Sequence, residues 1–159
     1  MRCLKISKLK KILVAYDGSP HSKEALQWAL DLSLPSGAEV AAVKVCAENE
    51  LFAMTEVGVA SFLVVLDEIR QENQNLLDEV RKQLMDEVSA VALKSGVKVQ
   101  CEALQGNITR QLLSYAKNNN FDLIVVGSKG HGVLEEMLMG SITRNLVSLA
   151  HIPVLVVKD

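Results

Sequence analysis

Two textures alternate along the chain. Short runs of aliphatic and β-branched residues predict strands at Ile12–Tyr16, Val40–Cys46, Val97–Leu104, Asp122–Val126 and Pro153–Val157. The run Leu123-Ile-Val-Val126 is apolar on both faces, the pattern of a strand deep inside a parallel sheet. Between these runs the apolar residues recur at helical spacing. Ser22–Leu34 carries Ala25, Leu26, Ala29, Leu30 and Leu32 near one face, with Pro35 and Gly37 closing it. A long helix is predicted from about Ser61 to Lys94, striped by Leu66, Ile69, Leu76, Leu77, Val80, Leu84, Val88 and Val91. Unbroken it would reach about 50 Å, long for a small domain, so a bend or a looser first part is expected. Asn107–Lys117, with Asn107 as N-cap, and Ser141–Ala150 complete the helices.

Strands separated by helices imply right-handed crossovers and a parallel sheet covered on both faces, an α/β fold. The 159 residues suit one domain at roughly 150 residues per domain, with 1–9 as an N-terminal extension. No fixed-period repeat or dividing linker interrupts it. Residues 47–60, of mixed polarity around Gly58, are the candidate lid or partner surface.

Composition narrows the function classes. An apolar fraction of 49% with 23% charged residues excludes disorder and low-complexity repeats. Aromatics at 4% and a net charge of −2 argue against a nucleic-acid partner. Cys3, Cys46 and Cys101 form no CxxC pair and read as free thiols in a reducing compartment. The basic start lacks the apolar stretch of a secretory signal. Val57–Leu66, the longest uncharged apolar run, is half of the roughly 20 residues a membrane span requires. A cytoplasmic protein without membrane partners is expected.

In open α/β sheets ligands sit beyond the carboxyl ends of the strands, where strand order reverses. Two strands end unusually: the first in Tyr16-Asp17-Gly18-Ser19, the fourth in Gly127-Ser128-Lys129-Gly130-His131-Gly132, before a helix opening at Gly140-Ser141-Ile142-Thr143. Glycines let main chain approach a phosphate chain, and successive N–H groups with a helix N-terminus make an anion site. The hydroxyls of Ser141 and Thr143 add donors, with Lys129 and Arg144 as the nearest cations. A P-loop is excluded because Val133-Leu134 follow Gly132 where Lys-Ser/Thr is needed. A dinucleotide fingerprint is excluded because Glu135 stands where its third glycine belongs.

The spacing Gly127-x2-Gly130-x9-Gly140-Ser141 resembles the ATP-binding motif of the universal stress protein family. Ile12-Leu-Val-Ala-Tyr-Asp17-Gly-Ser19 resembles that family's first strand and turn, and His151-Ile-Pro-Val-Leu-Val-Val157 its last strand. The resemblance spans about Lys10 to Lys158 and implies a five-stranded parallel sheet in the order 3-2-1-4-5. By the same resemblance Ala15 and Tyr16 line an adenine pocket, Asp17 holds ribose or metal, and the Val45 backbone reads the adenine edge. Gly127, Gly130, Gly140, Ser141 and Thr143 hold ribose and phosphates, and Ile142 contributes a backbone N–H. Ser128, Lys129, His131 and Gly132 complete the loop, with Lys129 where the family often has Arg. Every motif position is filled, which implies the branch that retains ATP, or ADP or AMP, with magnesium. Glu135 and Glu136 read as a solvated face. The resemblance further implies a homodimer through the edge strand Pro153–Val157.

A catalytic apparatus is not evident. Asp17, Ser19 and His21 are close in sequence, but no GxSxG elbow exists, and His21 is expected to face solvent in a first helical turn. His131 lies nearest the phosphates, and His151 reads as surface or interface. The expectation is a nucleotide-responsive stress module with little or no hydrolysis. A slow magnesium-dependent ATPase and a dimeric scaffold with incidental nucleotide are the alternatives.

Overall fold

Strands and helices alternate strictly in the computed structural model, which describes residues 9–47, 59–130 and 139–158 and, in the second helix, side chains from 68 onward. The elements are β1 (Lys11–Ala15), α1 (Pro20–Ser36), β2 (Glu39–Cys46), α2 (Val59–Ala92), β3 (Val99–Gln105), α3 (Ile108–Asn118), β4 (Leu123–Gly127), α4 (Ser141–Leu149) and β5 (Val154–Val157). The five strands form one sheet in the order β3-β2-β1-β4-β5. Each adjacent pair is parallel. β1 and β4 are neighbours, with Ala15 opposite Val126, so both unusual strand ends open on one crevice.

Strand alternation divides the core into two layers. Ile12, Val14 and Tyr16 face α1 and α2, packing with Leu26, Leu30, Leu84 and Val88. Leu13, Val43 and Ile124 face α3 and α4, packing with Leu112, Ala116 and Leu146. The central residues Ile12, Leu13, Val14, Ile124 and Val125 are wholly buried, as a strand flanked on both sides and both faces requires.

Local chemistry explains where the elements depart from their expected bounds. α1 starts at Pro20, two residues early, because proline is tolerated where a helix has no N–H to satisfy. The Ser19 side chain accepts from the Ser22 N–H at 3.2 Å and caps it. At the other end Pro35 lies within the last turn, and Gly37, at φ 68°, closes the helix by donating to the Ser33 carbonyl. The long helix α2 is assigned as one element from Val59 to Ala92. Among its described side chains only Leu84, Val88 and Ala92 are buried, so most of it need not follow the sheet's curvature. The pairs Gln71–Asn75 and Gln74–Asp78 brace its outer stretch at i,i+4 spacing. The expected variable segment falls largely outside the described residues, as do His131, Gly132, Glu135 and Glu136.

Candidate functional site

A cavity of about 320 Å³ opens at the carboxyl end of the sheet between β1, β2, β4, α3 and α4. Ala15 and Asp17 reach it from β1, and Val45 from β2. Gly127, Lys129 and Gly130 follow β4 into it, and Gly140, Ser141, Ile142 and Thr143 close it from α4. Tyr16 also borders the cavity, but its ring lies in the opposite core layer, which leaves its main chain facing the cavity. Ser128 does not line it. Its side chain is buried, its N–H donates to the Val157 carbonyl at 2.7 Å, and its carbonyl accepts from Gly140 N–H at 2.8 Å. That second bond ties the stem of the glycine-rich loop shut.

Sequence reading missed part of the wall. Val43 and Val126 lie on the same sheet face as Ala15 and Val45, a consequence of period-two alternation once the strand order is known. Ile108 and Leu112, one turn apart on α3, supply the apolar side. Ser22, in the first turn of α1, completes it, although its hydroxyl donates to the Ser19 carbonyl at 2.9 Å.

The glycines are required by neighbours as much as by any ligand. A Cβ on Gly127 would stand 2.7 Å from the backbone carbon of His21. His21 is therefore half-buried against the end of β4 and does not face solvent as expected. A Cβ on Gly130 would stand 2.6 Å from Asp17 Oδ2, so that glycine leaves room for the carboxylate. The other oxygen, Oδ1, accepts from Ser19 N–H at 3.0 Å, fixing Asp17 at the cavity mouth.

Donors at the start of α4 define what the cavity accepts. α1 is capped by Ser19 and α3 by Asn107, whose side chain accepts from Arg110 N–H at 3.0 Å. α4 has Gly140 at its N-cap and no side-chain cap. The Gly140 N–H is engaged with Ser128, which leaves the first N–H groups of α4, at Ser141, Ile142 and Thr143, opening on the cavity. Thr143 corrects one expectation: its hydroxyl donates to the Gly127 carbonyl at 2.8 Å, binding α4 to β4. Its hydrogen is not offered to the cavity. Together these groups form an apolar slot that ends in uncapped N–H donors, with Lys129 and Asp17 beside them. Among the described residues no group of three or more His, Cys, Asp or Glu could hold a metal ion. None of the described helices is long and apolar enough to cross a membrane.

A larger cavity, about 420 Å³, lies at the opposite end of the sheet against Ala116, Phe121 and Ile124. It has no helix N-terminus on it, so its size alone does not make it the stronger candidate.

The family model for the universal stress protein family matches residues 8–158. The chain belongs to that family. It is 33% identical over 149 residues to universal stress protein MJ0531 of Methanocaldococcus jannaschii, covering 94% of this chain and 82% of that protein. Among solved structures, this universal stress protein resembles MJ0577 of the same organism with a TM-score of 0.74 at 28% identity, covering 95% of this chain and 96% of the other. A universal stress protein solved in complex with cAMP shares the fold, with a TM-score of 0.66 at 20% identity, over 94% of this chain and 97% of that one.

Proposed function

We propose that this universal stress protein binds an adenine nucleotide in the carboxyl-end cavity and acts as a nucleotide-responsive module with little or no hydrolysis. The observation that carries the reading is the uncapped N-terminus of α4, whose N–H groups open on the apolar slot. Such an end carries about half a positive charge and suits phosphate. Ala15, Val43, Val45, Ile108 and Leu112 offer walls for the base. Lys129 adds a cation beside the phosphates. In sequence, His131 and Gly132 follow directly on Gly130. The cAMP complex is a precedent for an adenine nucleotide on this fold.

Asp17 is the carboxylate of the described lining and suits either the ribose hydroxyls or magnesium travelling with the nucleotide. Magnesium binds through one or two carboxylates plus substrate phosphates, so this donor set fits it. A general base positioned on a water is not evident among the described lining residues, which favours binding over turnover. The protein works in the cytoplasm, and its edge strand β5 pairs with a second copy.

Calorimetry with magnesium and ATP, ADP or AMP tests the reading. Saturable heat is expected from the wild type, reduced at least about tenfold in affinity by Gly130→Val, which drives a side chain into Asp17. The absence of heat, together with no adenine nucleotide released from the purified and denatured protein, would overturn it.

A further inference from the structure

Tyr16 has two faces to the molecule. Its main chain stands between Ala15 and Asp17 on the cavity, and its N–H donates to the carbonyl of Val43, another cavity residue, at 2.9 Å. Its side chain passes into the other core layer, where the ring is buried beside Leu84 and Val88. There the phenol donates to Glu87 Oε2 of α2 at 2.9 Å. This contact sits between Leu84 and Val88, inside the stretch of α2 that packs on the core. Leu84, Val88 and Ala92 are the buried residues of the helix among those described, and the side chains from 68 to 83 are exposed or half-exposed. Arg81 adds a weaker tie at 3.5 Å to Glu102 of β3, which is no part of the cavity. Burial first, and then the bond to Glu87, push the Tyr16 phenol far above its ordinary range, so it stays a neutral donor at all physiological pH.

We propose that the Tyr16–Glu87 hydrogen bond couples occupancy of the carboxyl-end cavity to the docking of α2 on the sheet. This rests on the nucleotide reading of the cavity and names its output. A ligand that seats against Ala15 and Asp17 fixes the end of β1 from both sides of Tyr16. A close-packed ring transmits that restraint, because its neighbours leave no free volume to absorb it. The hydrogen bond then holds α2 within its buried stretch from Leu84 to Ala92, and the more exposed residues 68–83 are stiffened in turn. Coupling of this kind is reciprocal: whatever factor nucleotide adds to α2 docking, docking adds to nucleotide affinity.

The test is hydrogen exchange of the full chain with and without magnesium-ATP, run beside calorimetry on the same samples. In the wild type, bound nucleotide slows exchange around residues 84–92 by about fivefold. Glu87→Ala still binds nucleotide, with a dissociation constant raised by no more than that factor, and loses the slowing. Glu87→Gln, whose side-chain oxygen still accepts from the phenol, retains it. A role limited to stability would raise exchange in Glu87→Ala equally with and without nucleotide and leave the slowing intact, which overturns the coupling. Tyr16→Phe, which breaks the same bond and leaves Glu87 hydrated, serves if the alanine variant unfolds, and an undiminished slowing there is equally fatal. Nucleotide bound by the wild type without any change in α2 sinks the coupling alone. No binding by the wild type removes the proposed function, and the coupling with it.

Discussion

At the scale of single residues, two glycines of one motif do different work. A Cβ at Gly127 meets main chain of His21, which cannot rotate away. Gly127→Ala is therefore expected to cost about 1–3 kcal/mol through overpacking, read as a lowered urea midpoint. A Cβ at Gly130 meets the far end of Asp17, so substitution there should disturb the cavity more than the fold. The sequence announced both positions through their spacing, but not this division of labour. The packing of α1 against the end of β4 depends on tertiary contact that spacing does not encode. The same holds for Thr143, legible as a hydroxyl near phosphate and found donating to Gly127. Cys101 offers a separate check. Burial pushes its thiol from an ordinary 9.0 to about 11. The folded chain holds that proton more tightly than the unfolded one, so the contribution is complete below pH 9 and fades as pH climbs through 11. Urea midpoints at pH 8 and pH 11 should show a smaller alkaline loss for Cys101→Ala than for the wild type.

At the scale of elements, the informative contrast is among helix starts. Ser19 and Asn107 cap α1 and α3 with their own side chains, and both residue types predict this from sequence. α4 opens on Gly140 with nothing in that role. A helix whose first N–H groups lack a side-chain cap, unlike those of α1 and α3, is stabilised by an external acceptor. Ser141→Pro isolates the effect. Proline is accepted at the first helical position, as Pro20 already shows in α1, and Gly140 holds the extended backbone that a residue before proline prefers. The variant removes one N–H and the hydroxyl. Ser141→Ala removes the hydroxyl alone. A hydrogen bond to a charged group contributes about 1.5–3 kcal/mol, so the proline variant should bind nucleotide at least about tenfold more weakly than the alanine variant. Thermal melts of the two should coincide closely. Equal affinities would mean that the α4 amides do not meet phosphate. Element existence and order were readable throughout, because apolar period distinguishes strands from helices in every segment described. Ends were not. Pro20 reads as a break, yet it sits at the first helical position, where a helix tolerates it, and Pro35 falls inside α1 just before the Gly37 cap.

At the scale of the whole molecule, the strand order leaves β3 and β5 as edges. They are unlike. β3 presents Gln100 and Glu102, whose carboxylate lies 3.5 Å from Arg81, so its edge is polar. β5 is Val154-Leu-Val-Val157, with only Val157 buried, and beside it α4 exposes Val147 and Leu149 by 50% and 57%. An apolar edge invites strand pairing, and natural proteins blunt such edges with charge, among other devices, or cover them. β5 carries no charge to blunt it. Pairing with the same strand of a second copy covers the edge symmetrically and closes the assembly at two chains, which an edge meeting any unlike surface would not do. Light scattering at micromolar concentration should therefore give twice the 17.4 kDa chain mass. Val156→Lys adds charge to the edge strand without touching the cavity lining. It should shift the protein to a monomer while magnesium-ATP binding by calorimetry persists. A wild type that scatters as a monomer would show that the edge is left open in solution. Loss of binding on monomerisation would show instead that each site leans on the partner copy, a dependence the lining of a single chain does not suggest.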